Sequence, residues 1–214
     1  KRFMGTEEKF QAGGREHSPS SLSALVLKKL SADAGTALGS ITEAVVTIPA
    51  NFANEAREAT MKAAKSAGLT VKHIINEPTA AALYYAFKSG ETLAGTYAVY
   101  DLGGGTFDVS IISVSGQDVE VVSTDGVARL GGDDFDEAIR KLVAEKYKQE
   151  TGEEIDPADF TKNDAEDEKR SLSKRDKCLV PVRSGGGRAN ITITRSEFEE
   201  AISSLIAQTE MVCE

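Results

Sequence analysis

The amino-acid sequence predicts an α/β fold organised in two halves. Hydrophobic residues recur at helical spacing in several segments and β-branched residues cluster in short runs elsewhere, so both helices and strands are expected. Helices and strands alternate up to a stretch near Ser89–Gly95, after which three strand-like runs follow one another. This change of pattern predicts a boundary between the two halves.

The first half opens with a polar, turn-rich segment over residues 6–20. Pro49 ends a strand, Gly68 ends a helix, and Pro78 fits a first helical turn. Asn54 is expected to cap the helix that it begins. The predicted elements are a helix that carries Leu22, Leu25, Val26 and Leu30, a strand over Thr42–Ile48, a helix from Asn54 with Ala56, Ala59, Ala63, Ala64 and Ala67 on one face, a strand over Val71–Ile75 and a helix over Thr79–Phe87.

The second half begins with three strands whose short connections favour an antiparallel meander. A long helix begins at Asp133 or Asp134, and a charged helix covers residues 164–175 after an acidic connector. Ser196 and Glu199 have the spacing of a capping box for the last helix. The meander strands are Tyr97–Asp101, Phe107–Val114 and Val119–Ser123, and a hairpin joins Leu179–Arg183 to Ala189–Thr194. The long helix carries Phe135, Ile139, Leu142, Val143 and Tyr147 on one face, and the last helix is expected to bury Phe198, Ile202, Leu205 and Ile206.

Composition and charge argue against several classes of protein. With 34 acidic and 25 basic residues the formal net charge is −9, which disfavours non-specific binding to nucleic acid. The apolar runs are far shorter than the roughly 20 residues of a membrane-spanning helix, and the N-terminus does not resemble a signal peptide, so a cytoplasmic location is expected. Cys178 and Cys213 are expected to be free thiols, although a disulfide between them is possible, and no Cys/His spacing suggests zinc.

The strongest chemical signal is the run Asp-Leu-Gly-Gly-Gly-Thr-Phe-Asp over Asp101–Asp108, between two predicted strands. Three glycines allow a turn with positive φ and bring backbone amides close to an anion. The two aspartates could hold the waters of a magnesium ion, and the hydroxyl of Thr106 could orient phosphate or water. A plain glycine hairpin needs fewer of these residues, so the run predicts a site for a magnesium-bound phosphate.

This run resembles the second phosphate loop of the heat-shock seventy-kilodalton (DnaK-like) chaperones, which belong to the actin/hexokinase superfamily. Asn76–Ala82 and Gly131–Asp136 resemble other hallmarks of these chaperones, and Thr47–Phe52 and Lys1–Gly5 match them less tightly. The matches follow the family's order over essentially the whole chain, which is far more specific than one glycine pattern. The resemblance implies a two-lobed, actin-like ATPase fold (ribonuclease H-like), incomplete at both ends.

The resemblance also implies where the two lobes begin and end. In that arrangement residues 1–94 are the remainder of the first lobe (1–38 its outer part and 39–94 its inner part), residues 95–130 and 195–214 are the inner part of the second lobe, and residues 131–194 are the outer part of the second lobe.

The family's cofactors, ATP or ADP with magnesium, are expected here by resemblance, and the site residues follow by position. Glu77, Asp101 and Asp108 would hold magnesium through water, and the two aspartates would help to take the proton from the attacking water. Thr106 would contact the γ-phosphate. From its position alone, Glu77 could simply be an acid favoured by a helix dipole. The glycines expected at the nucleotide are Gly103, Gly104 and Gly105 as amide donors, and Gly132 against the phosphates and ribose.

A second set of site residues lies on the charged helix. Glu166, Lys169, Arg170 and Ser173 share one helix face, because their spacing is i, i+3, i+4 and i+7. By themselves they indicate a solvated ion-pair surface. In the DnaK-like chaperones that the sequence resembles, the helix at this point carries an adenosine clamp. In that clamp an arginine stacks on adenine, and the other side chains bind ribose and base through hydrogen bonds.

Further expectations concern the longer parent protein that the resemblance implies. Pro49 and Arg57 match positions that relay the nucleotide state to a substrate-binding domain, although a strand-ending proline and an exposed arginine need no such role. The parent would be a chaperone that uses ATP to control its binding of unfolded polypeptides, with a J-domain co-chaperone and a nucleotide exchange factor as partners. Because the family's first phosphate loop is missing from the sequence, the chain alone is expected to hydrolyse ATP weakly or not at all. A dimer would be one way to cover unpaired strand edges.

Two other functions stay open at this point. A sugar or acid kinase of the same superfamily would share the Asp-Gly-Gly-Gly-Thr hairpin, but Asn76–Ala82 together with Gly131–Asp136 argues for the chaperone. A non-catalytic, actin-like interaction module is the other alternative. Such a module need not preserve Asp101, Thr106 and Asp108, and all three are intact.

Overall fold

Helices and strands alternate through the first half of the chain in a computed structural model that describes residues 1–116 and 118–214. The chain forms a first unit of Lys1–Asp101 with Asp108–Gly126 and a second unit of Leu102–Phe107 with Val127–Glu214. The predicted α/β class is confirmed, and the lobe boundaries stay a prediction. In chain order the elements are β1 (Phe10–Ala12), β2 (Arg15–His17), α1 (Pro19–Leu38), β3 (Glu43–Ile48), α2 (Asn54–Ser66), β4 (Thr70–Asn76), α3 (Glu77–Ser89), β5 (Ala94–Leu102), β6 (Phe107–Ser115), β7 (Asp118–Val127), α4 (Gly132–Thr151), α5 (Lys162–Leu172), β8 (Lys177–Ser184), β9 (Gly187–Thr194) and α6 (Arg195–Cys213).

A small hairpin opens the first unit, where the sequence indicated only a turn-rich segment. β1 and β2 pair antiparallel around Gly13 and Gly14, whose φ angles of 57° and 72° lie in the left-handed region that favours glycine. The strands are three residues long and mostly polar, so they lack the hydrophobic alternation that identifies longer strands.

The first unit is built on a β-α-β arrangement that brings the ends of two strands together. β3 and β4 pair in parallel from Glu43↔Thr70 to Ile48↔Asn76, and α2 lies between them in the chain. α1 packs on α2, and α3 packs on both strands. Because neighbouring parallel strands end at the same edge of a sheet, the residues that follow Ile48 and Asn76 emerge side by side.

The three following strands are neighbours in the order β5-β6-β7, as a meander requires. Ile112 and Val114 on β6 are buried together with Ala82 of α3 and with Leu93, and these four residues form the apolar core of this sheet. The run Asp101–Asp108, which the sequence predicted to bind a magnesium-bound phosphate, therefore connects two hydrogen-bonded strands.

The second unit encloses a larger core between α4 and the β8–β9 hairpin. The hairpin pairs from Lys177↔Thr194 to Ser184↔Gly187, which confirms the predicted turn over residues 184–187. Tyr147 is fully buried, and its hydroxyl donates to the carbonyl of Ser184 at 2.7 Å. The core residues are Ile139, Val143 and Tyr147 of α4, Phe160, Ala165 and Leu172 at α5, and Cys178, Val180, Val182, Ala189, Ile191 and Ile193 of the hairpin.

Two predicted helix caps are wrong in register. The N-cap of α2 is Ala53, and Asn54 is the first helical residue and makes no capping hydrogen bond. The capping box of α6 consists of Thr194 and Glu197, not of Ser196 and Glu199. The helix begins earlier than expected because β9 leads into it without a loop.

The last helix is less buried than its periodicity suggests. Ile202 is buried, but Ile206 is 37% exposed, so the prediction that Ile206 belongs to the core is wrong. Both cysteines are free, as expected, and the structure adds that Cys178 is buried and Cys213 is exposed. No helix in the described part of the chain is long and apolar enough to cross a membrane.

Candidate functional site

The glycine run forms a closed turn in the second unit. The amide of Gly103 donates to the carbonyl of Thr106 at 2.9 Å, which ties the two ends of the turn together. Gly103 and Gly104 are not among the glycines with left-handed φ angles, so the expectation of positive φ at these two positions is wrong. A Cβ on Gly103 would lie 3.3 Å from the carbonyl oxygen of Thr106, which is a tight contact within the turn itself.

The N-terminus of α4 lies directly against this turn. Gly132 donates its amide to the carbonyl of Gly103 at 3.0 Å, and Asp133 donates to that of Gly104 at 2.7 Å. A Cβ atom on Gly131 would lie 2.6 Å from the carbonyl oxygen of Gly103, which is closer than real atoms approach. Gly131 is therefore required for this contact, a role that the sequence did not predict.

This contact changes what the helix terminus can offer to a ligand. The amides of Gly132 and Asp133 are engaged by the turn, and those of Asp134 and Phe135 donate to the carbonyl of Gly131. The N-terminal donors of α4 are thus satisfied within the protein. Gly132 was predicted to lie against a phosphate. Its N–H group does not bind that phosphate, because it already donates to the carbonyl of Gly103.

The outer face of the turn has space for a ligand. An added Cβ on Gly104 would meet no atom within 4 Å in the described part of the chain. Thr106 is half-buried, and its hydroxyl makes no hydrogen bond to the described residues. An open glycine backbone beside an unused hydroxyl has the chemistry of an anion-binding turn.

In the first unit, the three predicted carboxylates line one small cavity. Glu77 starts α3 at the end of β4, and Asp101 and Asp108 lie on β5 and β6. The cavity has a volume of about 10 Å³, which is close to the space that one water molecule occupies. Its remaining lining residues are Pro49, Ala50, Pro78, Val99 and Ser110.

Asp108 has one satisfied and one unsatisfied carboxylate oxygen. Its Oδ1 accepts a hydrogen bond from Nδ2 of Asn51 at 3.0 Å, and its Oδ2 is buried with no partner among the described residues. Burial of a carboxylate oxygen without a partner is costly, so this atom is suited to a donor that the chain does not supply, such as a metal-bound water. Asn51 was not predicted as a site residue, although it follows a strand end.

Glu77 has a partner of its own. Its Oε2 lies 2.9 Å from the Nζ of Lys1, and its side chain is 22% exposed. Within the described residues no group of three or more His, Cys, Asp or Glu side chains is arranged to hold a metal ion directly. These carboxylates therefore fit a magnesium ion that keeps its waters, which Mg²⁺ commonly does, better than one ligated directly.

The residues predicted to form the adenosine clamp, on α5 and at its C-terminal end, lie in two different environments. Glu166 and Arg170 form an exposed ion pair of 2.7 Å, and the hydroxyl of Ser173 donates to the carbonyl of Lys169 at 3.3 Å. Lys169 instead donates to the carbonyl of Gly132 at 3.1 Å. Lys169 thus connects α5 to the helix terminus that supports the glycine turn, while Glu166 and Arg170 face solvent.

The two predicted relay residues differ in burial. Pro49 is buried at the end of β3 and lines the carboxylate cavity, whereas Arg57 is exposed on α2. Only Pro49 is thus placed beside predicted site residues.

The chain matches a known protein family over most of its length. The family model described as Hsp70 protein matches residues 5–214. The match includes every site residue predicted above.

Proposed function

The chain belongs to the Hsp70 protein family, and from this premise we propose which residues bind the nucleotide and its magnesium ion. Members of this family have an actin-like ATPase fold and bind nucleotide, so the chain is an ATP-binding chaperone domain. Nothing in the sequence match favours a sugar kinase or a non-catalytic interaction module.

In the second unit, we propose that the glycine turn binds phosphate oxygens and that α5 binds the adenosine. The open face at Gly104 and the unused hydroxyl of Thr106 support the first assignment. The exposed pair of Glu166 and Arg170 supports the second, because a guanidinium plane can stack on a base while a carboxylate accepts from a hydroxyl or amino group. Gly105, Gly132 and Ser173 complete the proposed nucleotide-binding set. Gly103 belongs to the turn but does not serve as the predicted amide donor, because its N–H group already donates to the carbonyl of Thr106.

In the first unit, we propose that Glu77, Asp101 and Asp108 bind the waters of magnesium. A magnesium ion would supply positive charge that neutralises the phosphates when nucleotide is bound. During hydrolysis a water forms a bond to the γ-phosphorus and the bond to the ADP oxygen breaks. Asp101 or Asp108 would accept the proton that this water loses, because an ionised carboxylate is an acceptor.

The observation that carries the magnesium assignment is the unsatisfied, buried Oδ2 of Asp108 in a cavity shared by three carboxylates. Titration calorimetry with ADP, with and without magnesium, tests it. We expect magnesium to strengthen ADP binding in the natural chain, and Asp108→Asn to reduce that gain by about tenfold, the lower end of the effects of outer metal partners.

A matched control is Asp33→Asn, which neutralises an exposed carboxylate in an i, i+4 pair on α1 of the same unit. It should leave the magnesium effect unchanged. If Asp108→Asn behaved like Asp33→Asn, the carboxylate cavity would not be the magnesium site. If the natural chain did not bind ADP at all, the nucleotide proposal itself would be wrong.

The remaining functional assignments are proposals that follow from the family. They comprise control of the binding of unfolded polypeptides, interaction with a J-domain co-chaperone and a nucleotide exchange factor, a cytoplasmic location, and a relay through Pro49 and Arg57. The burial of Pro49 beside the carboxylate cavity supports its part in the relay.

A further inference from the structure

A buried charge in the second unit has no role in the assignments made so far. Asp136 on α4 is only 3% exposed, and acidic side chains are rarely buried to this degree unless they are paired. The Nζ of Lys169 lies 2.5 Å from its Oδ1. The contact is a charge pair rather than an aligned hydrogen bond, since Oδ1 meets no described donor at a hydrogen-bonding angle.

The same ammonium group also binds the end of α4. Lys169 donates to the carbonyl of Gly132 at 3.1 Å, and the amide of Gly132 donates to Gly103 at 3.0 Å. A Cβ on Gly132 would lie 3.3 Å from the Nζ, so glycine gives the ammonium room at this point. One lysine thus joins Asp136, the start of α4 and, through the single residue Gly132, the glycine turn.

We propose that Asp136 is a positioning residue for nucleotide binding that acts through Lys169. The proposal rests on the proposed function of α5 as the adenosine-binding helix. An ammonium group has three N–H donors. One is donated to Gly132, and the contact with Asp136 is a charge pair, so N–H donors remain for a hydroxyl or phosphate oxygen of the nucleotide.

Positioning of this kind strengthens binding because it removes an ordering cost. A lysine side chain is long and flexible, and its immobilisation on binding opposes association. Asp136 holds Lys169 in one place before the ligand arrives. Both side chains are largely buried, since that of Lys169 is 21% exposed and that of Asp136 is 5% exposed. A purely structural ion pair would stabilise the fold equally but would not affect the nucleotide through Lys169.

A double-mutant cycle on ADP affinity separates these two roles. We expect Asp136→Asn and Lys169→Met each to weaken ADP binding by about tenfold, as loss of an outer partner does at other sites. If Asp136 acts through Lys169, the double variant should bind ADP no more weakly than Lys169→Met alone, because interacting residues are not additive. The natural chain and the three variants are compared by titration calorimetry at one magnesium concentration.

The control is Glu197→Gln, which removes a different ion pair of the same unit, with Lys146, and should leave ADP affinity unchanged. Unchanged affinity in Asp136→Asn, or a double variant that loses the product of both single effects, would overturn the proposal. If Asp136→Asn does not fold, as judged by circular dichroism, Asp136→Glu takes its place in the cycle, because it keeps the charge but moves the carboxylate relative to Lys169. Absence of ADP binding by the natural chain would instead overturn the proposed function together with this inference.

Discussion

At the scale of single residues, Glu197 carries the clearest dependence on pH. The hydrogen bond from Lys146, and then that from the amide of Thr194, lower the pKa of Glu197 to about 2. A carboxyl group whose pKa is lower in the folded state stabilises the protein above its unfolded pKa of about 4.3, and this contribution is lost as the pH falls towards 2. We expect Glu197→Gln to lower the free energy of unfolding by about 1 kcal/mol at pH 7, and by progressively less between pH 5 and pH 2.

Urea unfolding at several pH values measures this difference. Glu199→Gln is the matched control, because Glu199 is an exposed carboxylate on the same helix turn. It should leave the free energy of unfolding nearly unchanged at every pH. A difference for Glu197→Gln that stayed constant down to pH 2 would contradict the proposed ionic origin of the effect.

At this scale the sequence indicates candidate residues where the chemistry is local, and it misses residues whose role depends on neighbouring elements. The carboxylates Asp101 and Asp108 are identifiable from one short run. The cap of α6 is not, because the end of β9 at Thr194 decides where the helix begins. Asp136 was overlooked for a related reason: its burial becomes apparent only when Lys169, from another helix, lies beside it.

At the scale of elements, the turn of the β8–β9 hairpin is fitted against α4. A Cβ on Gly187 would lie 2.5 Å from the hydroxyl oxygen of Tyr147. Gly187→Ala should therefore destabilise the fold by about 1–3 kcal/mol, as overpacking does. Tyr147→Phe should cost about 1–2 kcal/mol, because it leaves the carbonyl of Ser184 without its buried donor.

The two changes should not be additive, since Tyr147→Phe removes the very atom that the new methyl group meets. In the Tyr147→Phe background, Gly187→Ala should cost clearly less than in the natural chain. Denaturant unfolding of the four proteins of the cycle measures this coupling. Equal costs of Gly187→Ala in both backgrounds would show that the hydroxyl is not the obstacle.

At the scale of the whole molecule, a ligand that binds the folded state alone raises its stability by mass action. ADP at 100 times its dissociation constant should add about 2.7 kcal/mol to the free energy of unfolding. Gly131→Ala should reduce this gain, because its new methyl group would meet the backbone of Gly103 and Gly104 at 2.6–2.7 Å and displace α4 from the turn. Thermal unfolding with and without ADP measures the gain for each protein.

The comparison protein for this experiment is Gly35→Ala, whose methyl group would meet no described atom within 4 Å. It should keep the full stabilisation by ADP. If Gly131→Ala also kept it, close packing of α4 on the glycine turn would not be needed for nucleotide binding.

The order of the elements could be predicted almost completely from sequence, because long periodic segments such as α4 and turn residues such as Ser184–Gly187 carry local signals. The contact of Gly131 with the turn could not, since residues 103 and 131 are far apart in the chain and no periodicity connects them. The strands β1 and β2 could not be predicted either, because they are short and polar and lack hydrophobic alternation.

The contrast between the two cysteines has a practical consequence for spectroscopy. Burial is the main cause that raises the pKa of the Cys178 thiol to about 12, so little reactive thiolate forms there near neutral pH. Cys213 is exposed near the end of α6. A maleimide dye or spin label should therefore attach at a single position in the natural sequence, and would report on the surroundings of the last helix without any cysteine being introduced or removed.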